Sequence, residues 1–259
     1  MKLAGISLSE QGVRVLRTAL SATAADVFVH DSVSSEVQGT RFTRVIELTK
    51  EIFTRYQGIV FAAPCGVVVR ALEGCCSHKT EDPAVVVVDI GGRYAISLLS
   101  GHEGGANDLA VQVANALGAE PVITTSSEAA KNLIVGIGCR KGVSAERIVE
   151  AIRRGLAEID RTLETVRLLA TADVKKEEPG IWEAADTLGI PLRIIHSDEI
   201  IHSSPSVEKS EFVKSRVGLP AVAEPCAMLG GRRTRLRLGK TKYEGITVAI
   251  AEEHCMWSA

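Results

Sequence analysis

Short runs dense in β-branched residues, GIVFAA (58–63), AVVVVD (84–89), LIVGIG (133–138) and VRLLATA (166–172), alternate along the chain with longer segments whose apolar residues recur at helical spacing. The strand-like runs are apolar at nearly every position, so both of their faces must be covered. Parallel strands meet that demand, because each return to the same end of a sheet needs a crossover, and a helix crossover packs back onto the sheet. The pattern predicts an α/β fold: two α/β domains with mostly parallel sheets. Strands are expected at 2–8, 26–29, 58–63, 84–89, 94–99 and 121–124, with helices at 10–21, 42–56, 66–73 and 105–117 between them. The polar cluster TTSSEAAKN ends this half, and a fresh strand at 133–138 opens the next. The division is set at 131, giving domains 1–131 and 132–259. The second continues with helices at 145–157 and 179–188, strands at 166–172 and 192–195, further helices beyond a polar stretch, and closing strands at 234–238 and 246–251.

With 259 residues, 46% of them apolar, there is core enough for two such domains. A formal charge of −2 provides no general field for nucleic acid or an anionic membrane, and an aromatic content of 4% is too low for a base-stacking surface. The most apolar window, GIVFAAPCGVVV, is broken by Pro64 and Gly66 well short of a membrane span. Six cysteines without a C-x-x-C pair read as reduced thiols of a cytoplasmic protein, and no protein-bound metal is expected.

Four stretches carry candidate chemistry. In SLLSGHEGGANDLA a strand runs into Ser100, Gly101, His102, Glu103, Gly104 and Gly105 before a helix containing Asn107 begins. Glycines permit a sharp turn and close approach of a ligand, and amides in a first helical turn are free to meet negative charge. His102 is either an acid or base near neutral pH or a hydrogen bonder within the loop. In GIGCRKG, three residues separate Gly138 from Gly142, one too many for a dinucleotide fingerprint. Arg140 and Lys141 on that turn suit carboxylates or phosphates, while Cys139 is either a nucleophile or a small packing residue. TADVKKEEPG places Lys175, Lys176 and Glu178 at the next strand end, either as a solvated loop or as the second of two basic loops that face one crevice at the carboxyl edge of the sheet. Arg70, on an otherwise apolar helix, must pair, reach solvent or touch ligand, and Lys79 lies in a loop before a strand. The basic run GRRTRLRLGKTK alternates as an edge strand does.

Taken together, CGVVVRAL, KTEDPAVVVVD, SLLSGHEGGANDLA and LGAEPVITT in the first half, with VGIGCRKG, TADVKKEEPG and KTKYEGITVAIA in the second, resemble the cobalt-precorrin-5A hydrolase family of anaerobic cobalamin biosynthesis. Members often carry a further segment between the halves, whereas here VITTSSEAAKN runs almost directly into LIVGIGC, as in a compact form. The resemblance implies opening of a δ-lactone on a cobalt-corrinoid precursor with release of acetaldehyde. It implies no resident cofactor, since cobalt arrives with the substrate, and other enzymes of the pathway as partners. Lactone opening needs a proton acceptor and donors for the developing oxyanion. On this reading His102 accepts the proton, with Glu178 and Glu224 as alternatives, and the amides from Gly104 to Asn107 are the donors, Asn107 fixing the helix start. Ser100, Gly101, Gly104, Gly105, Gly138 and Cys139 line the substrate, and Arg70, Lys79, Arg140, Lys141 and Lys176 bind it. The rival reading is a non-catalytic corrinoid-intermediate binding or channelling protein. A nucleotide-binding module ranks third, for want of a Rossmann turn or a P-loop.

Overall fold

The computed structural model describes residues 1–203 and 222–254, and the chain divides into two compact units, Met1–Thr125 and Ser126–Ala259. The first unit is built on a seven-stranded sheet in the order β3-β2-β1-β4-β5-β6-β7. Its strands are β1 (Leu3–Ser7), β2 (Ala25–His30), β3 (Thr40–Phe42), β4 (Gly58–Ala62), β5 (Ala84–Val88), β6 (Tyr94–Leu99) and β7 (Glu120–Val122). Alternate residues serve opposite faces. Val60, Ala62, Val86 and Val88 pack under α1 (Glu10–Ala19) and α4 (Ala106–Leu117), while Ile59, Phe61, Val85 and Val87 pack under α2 (Val45–Ile52) and α3 (Cys65–Ala71). Each fully buried side chain of this size contributes about 1.5–3 kcal/mol, which explains why these runs tolerate no polar position.

Strands β1 to β5 pair in parallel, but β6 pairs antiparallel to β5. Only five residues, 89–93, join them, too few for a crossover, so the chain must turn back on itself. Asp89 organises this hairpin, its carboxylate accepting the amides of Gly91, Arg93 and Tyr94. Parallel pairing of β7 with β6 then completes the sheet.

The second unit carries a five-stranded sheet in the order β10-β9-β8-β12-β11, with strands β8 (Leu133–Cys139), β9 (Val166–Ala172), β10 (Leu192–Ile195), β11 (Thr234–Tyr243) and β12 (Ile246–Glu253). Strands β8, β9 and β10 are parallel, and β12 and β11 join as an antiparallel hairpin. The short α5 (Ser126–Ala129) precedes β8; α6 (Ala145–Ala157) and α7 (Pro179–Leu188) cover one face; α8 (Ser197–Ser203) and α9 (Ala223–Leu229) lie on the other. Leu133, Val135 and Ile137 face α6 and α7. Gly136 faces α9, and a Cβ there would stand 2.7 Å from the Ala227 nitrogen and collide with the Ala223 carbonyl. The glycine therefore sets how closely α9 approaches the sheet. The basic run forms the edge strand β11, as its alternation implies.

Two local expectations change. The helix expected from residue 42 starts at Val45, because Phe42 belongs to β3, pairing with His30 and burying its ring. A three-residue edge strand is too short to show a period of two. The polar stretch 126–129, read as the tail of the first half, is helix α5 of the second unit. Among the described residues, no helix is long and apolar enough to cross a membrane, and no group of three or more His, Cys, Asp or Glu side chains is placed to hold a metal ion.

Candidate functional site

The turn between β6 and α4 is tightly self-bonded. The Ser100 carbonyl accepts the amides of Gly104 and Ala106, each at 3.1 Å, and the Gly101 carbonyl accepts the Asn107 amide at 2.9 Å. Three of the four amides expected to stabilise an oxyanion are therefore already bonded, which removes most of that donor set. Asn107 is buried; its Oδ1 accepts the Ser97 hydroxyl at 2.8 Å and its Nδ2 donates to Thr125 Oγ1 at 3.1 Å. It anchors α4 to β6 rather than facing solvent. The glycines are explained by this packing: a Cβ on Gly101 would lie 2.8 Å from Asn107 Oδ1, and Gly105 holds φ +83° at the helix start.

Ser100 adopts φ 57° and buries a hydroxyl that finds no hydrogen-bond partner among the described residues. Such a conformation persists only where its surroundings over-determine it, and here the two amides on its carbonyl and the close contact with Gly104 do so. From this rigid turn His102 projects into solvent, and its ring forms no hydrogen bond among the described residues. Glu103 beside it binds Lys79 Nζ at 2.5 Å, and that contact, first among the causes, holds the carboxyl below its ordinary range. Arg70 does not join this group. Leu99 pairs with Val85 near the start of β5, whereas Ala62, just before α3, pairs with Val88 at its end, so the two turns leave opposite edges of the sheet. Arg70 bonds the Gly66 carbonyl of its own helix at 2.9 Å.

In the second unit, β8, β9 and β10 all end at one edge, and the loops that follow them collect charged groups. Gly180, in the first turn of α7, has no room for a Cβ against the Val143 carbonyl, so the loop after β9 lies directly on the loop after β8. Glu178 uses this closeness: its Oε2 accepts the Gly142 amide at 3.1 Å, and its Oε1 lies 3.4 Å from Lys175 Nζ. The Gly142 amide, followed by the Lys175 bond and the charges of Lys175 and Lys141, holds Glu178 below the ordinary carboxylate range despite partial desolvation. A carboxylate so stabilised is a poor proton acceptor. Glu224, the other alternative, sits on α9 and accepts the Lys240 amide at 3.2 Å.

Cys139 ends β8 half-buried, and burial pushes its thiol up, Lys175 opposing and Glu178 reinforcing that effect. Burial thus favours its neutral thiol over the thiolate that a nucleophile would need. Gly138, just before it, lies against Val222 and Ala223 at the start of α9. Around this centre Arg140, Lys141 and Lys176 are exposed, and their side chains form no ion pair among the described residues. Arg140 rests its stem over Gly245, in the β11–β12 turn.

Residues 47–128 match the family described as "Cobalamin synthesis G N-terminal", and residues 133–251 match "Cobalamin synthesis G C-terminus". The cobalt-precorrin-5A hydrolase of Salmonella typhimurium is 48% identical, over 79% of this chain and 84% of that protein. The chain belongs to the cobalt-precorrin-5A hydrolase family. The protein of that name from Priestia megaterium is 27% identical, over 79% of this chain and 80% of its own length. CobE, a protein from the cobalamin (vitamin B12) biosynthetic pathway, is 30% identical over 48% of this chain and 91% of its own, with a TM-score of 0.41.

For a member of the cobalt-precorrin-5A hydrolase family, the expected site residues thus fall into three groups. Ser100, Gly101, His102, Gly104, Gly105, Asn107 and Lys79 meet at the β6–α4 turn. Gly138, Cys139, Arg140, Lys141, Lys176 and Glu178 meet at the strand edge of the second unit. Arg70 leaves the opposite edge of the first sheet from the β6–α4 turn. The sequence reading passed over Asp173 and His196. Asp173, after β9, accepts both the amide and the hydroxyl of Ser197, and His196 Nδ1, after β10, lies 3.7 Å from its Oδ2. The signal was the one that marked Arg140: each is the first polar group beyond an apolar parallel strand, at the edge where α/β sheets bind ligands.

Proposed function

We propose that this chain hydrolyses a cobalt-precorrin-5A-type substrate, opening its δ-lactone and releasing acetaldehyde, in cobalamin biosynthesis. The observation that carries the reading is the gathering of Arg140, Lys141, Lys175 and Lys176 at one strand edge of a chain whose net charge is −2. The acetate and propionate arms around a corrinoid are the ligands such a set suits, through charge-assisted hydrogen bonds. Val174, 60% exposed between Asp173 and Lys175, adds apolar surface for the macrocycle beside those cations. Water is the co-reactant and cobalt is part of the substrate, so the reaction asks for no resident cofactor. The five described cysteines are all unpaired, in keeping with a cytoplasmic protein.

Purified protein mixed anaerobically with the lactone-bearing cobalt intermediate tests the reading. Acetaldehyde should appear in proportion to the substrate consumed. Binding of the intermediate without acetaldehyde would overturn the hydrolase reading in favour of a corrinoid carrier or channelling protein.

A further inference from the structure

The cations at the strand edge are of two kinds. Arg140, Lys141 and Lys176 are exposed and form no ion pair among the described residues, so they can follow the flexible carboxylate arms of a ligand. Lys175 differs. Its side chain is 23% exposed, its ammonium is held by Glu178, whose own side chain is 14% exposed, and Glu178 is fixed in turn by the Gly142 amide of the neighbouring loop. The pair is thereby pinned against the loop that follows β8.

A reaction that develops negative charge on an oxygen needs a donor already in position, because reorienting a free side chain at that moment would cost the stabilisation it supplies. The first helical turn after β6 is largely disqualified, since the Gly104, Ala106 and Asn107 amides are bonded within the turn. The geometry points to Lys175 as the group that donates to the lactone carbonyl oxygen, with Glu178 as its positioning residue and the three outer cations as binders of peripheral carboxylates. This assignment rests on the hydrolase reading.

In the step it serves, a lone pair of water forms the new C–O bond and the carbonyl π pair moves onto the oxygen that Lys175 Nζ–H bonds. When the tetrahedral intermediate collapses, the ring C–O bond breaks with its electron pair on the departing oxygen, which ends with one water proton; the remaining O–H stays on the new carboxyl group. Lys175 keeps its proton throughout.

The test compares steady-state acetaldehyde release by the wild type and four variants. Lys175→Met should lower kcat by roughly 10²–10³ while KM stays within about threefold, the pattern of a lost transition-state contact. Glu178→Gln should lower kcat by a smaller factor, again at nearly constant KM. Arg140→Ala with Lys141→Ala should do the reverse, raising KM with kcat largely kept. Removing one member of a half-buried pair risks misfolding, so the double variant Lys175→Met with Glu178→Gln, which strands no charge, is assayed alongside and should show the same kcat loss. Should either folded Lys175 variant turn over within threefold of wild type, or show its whole loss in KM, the assignment is wrong. An inactive wild type would instead refute the hydrolase reading itself.

Discussion

His102 is carried on a turn whose hydrogen bonds do not involve it, so His102→Ala should leave the fold in place. We expect the melting temperature to be unchanged and turnover to fall by roughly 10²–10⁴-fold through loss of proton transfer, with corrinoid affinity nearly constant. Near wild-type acetaldehyde release by the folded variant would rule the imidazole out. Glu178 makes a different prediction. Its folded-state value lies below the ordinary 4.5, so its contribution to stability is complete above that pH and is lost as the pH falls through the lowered value. Between pH 7 and pH 3 the wild type should lose more thermal stability than Glu178→Gln, and parallel melting curves across that range would contradict the assignment. At this scale the sequence was legible for placement: His102 on its glycine turn and the paired cations after β8 and β9 stand at the turn and strand ends their neighbours imply. It was not legible where the partner lies far along the chain. That Asn107 is committed to Ser97 and Thr125, or Glu178 to Gly142 across 36 positions, follows from packing alone.

Elements were read best where both faces of a strand are buried. Strand β9 and helices α6 and α7 fall at the positions their apolar spacing requires, because burial of both strand faces and of one helix stripe leaves few alternatives. The edge strand β3 escaped, since three residues hold too little pattern. The least obvious element was the five-residue link between β5 and β6: its shortness reverses β6 and delivers the Gly101 turn to the edge opposite Arg70. The family resemblance puts both among residues that meet the substrate, and strand direction separates them within the first sheet. Gly136 offers the element-scale test. With Ala227 nitrogen 2.7 Å from any added Cβ, Gly136→Ala must push α9 off the sheet and should cost about 1–3 kcal/mol, read as a lower denaturant midpoint at unchanged slope. An unaffected midpoint would show that α9 yields without penalty.

Across the whole molecule the charge is nearly balanced, so attraction for an acidic ligand must be local and its range set by salt. Arg140→Ala with Lys141→Ala should weaken corrinoid binding by about 1–3 kcal/mol, measured by optical titration. The wild type should also lose affinity between 0.05 and 0.5 M salt, roughly the span over which exposed charges become screened, and the double variant should lose less. Equal salt dependence in both would remove these cations from the binding surface. The order of strands in the second sheet has a consequence for how the molecule comes into being. Strand β8 finds one neighbour in β9, close behind it, but the other is β12, about 115 residues further along. During synthesis the first sheet has all its strands long before that, whereas β8 keeps an unpaired edge until the final hairpin emerges. That interval is when the nascent chain is most open to pairing with the wrong partner.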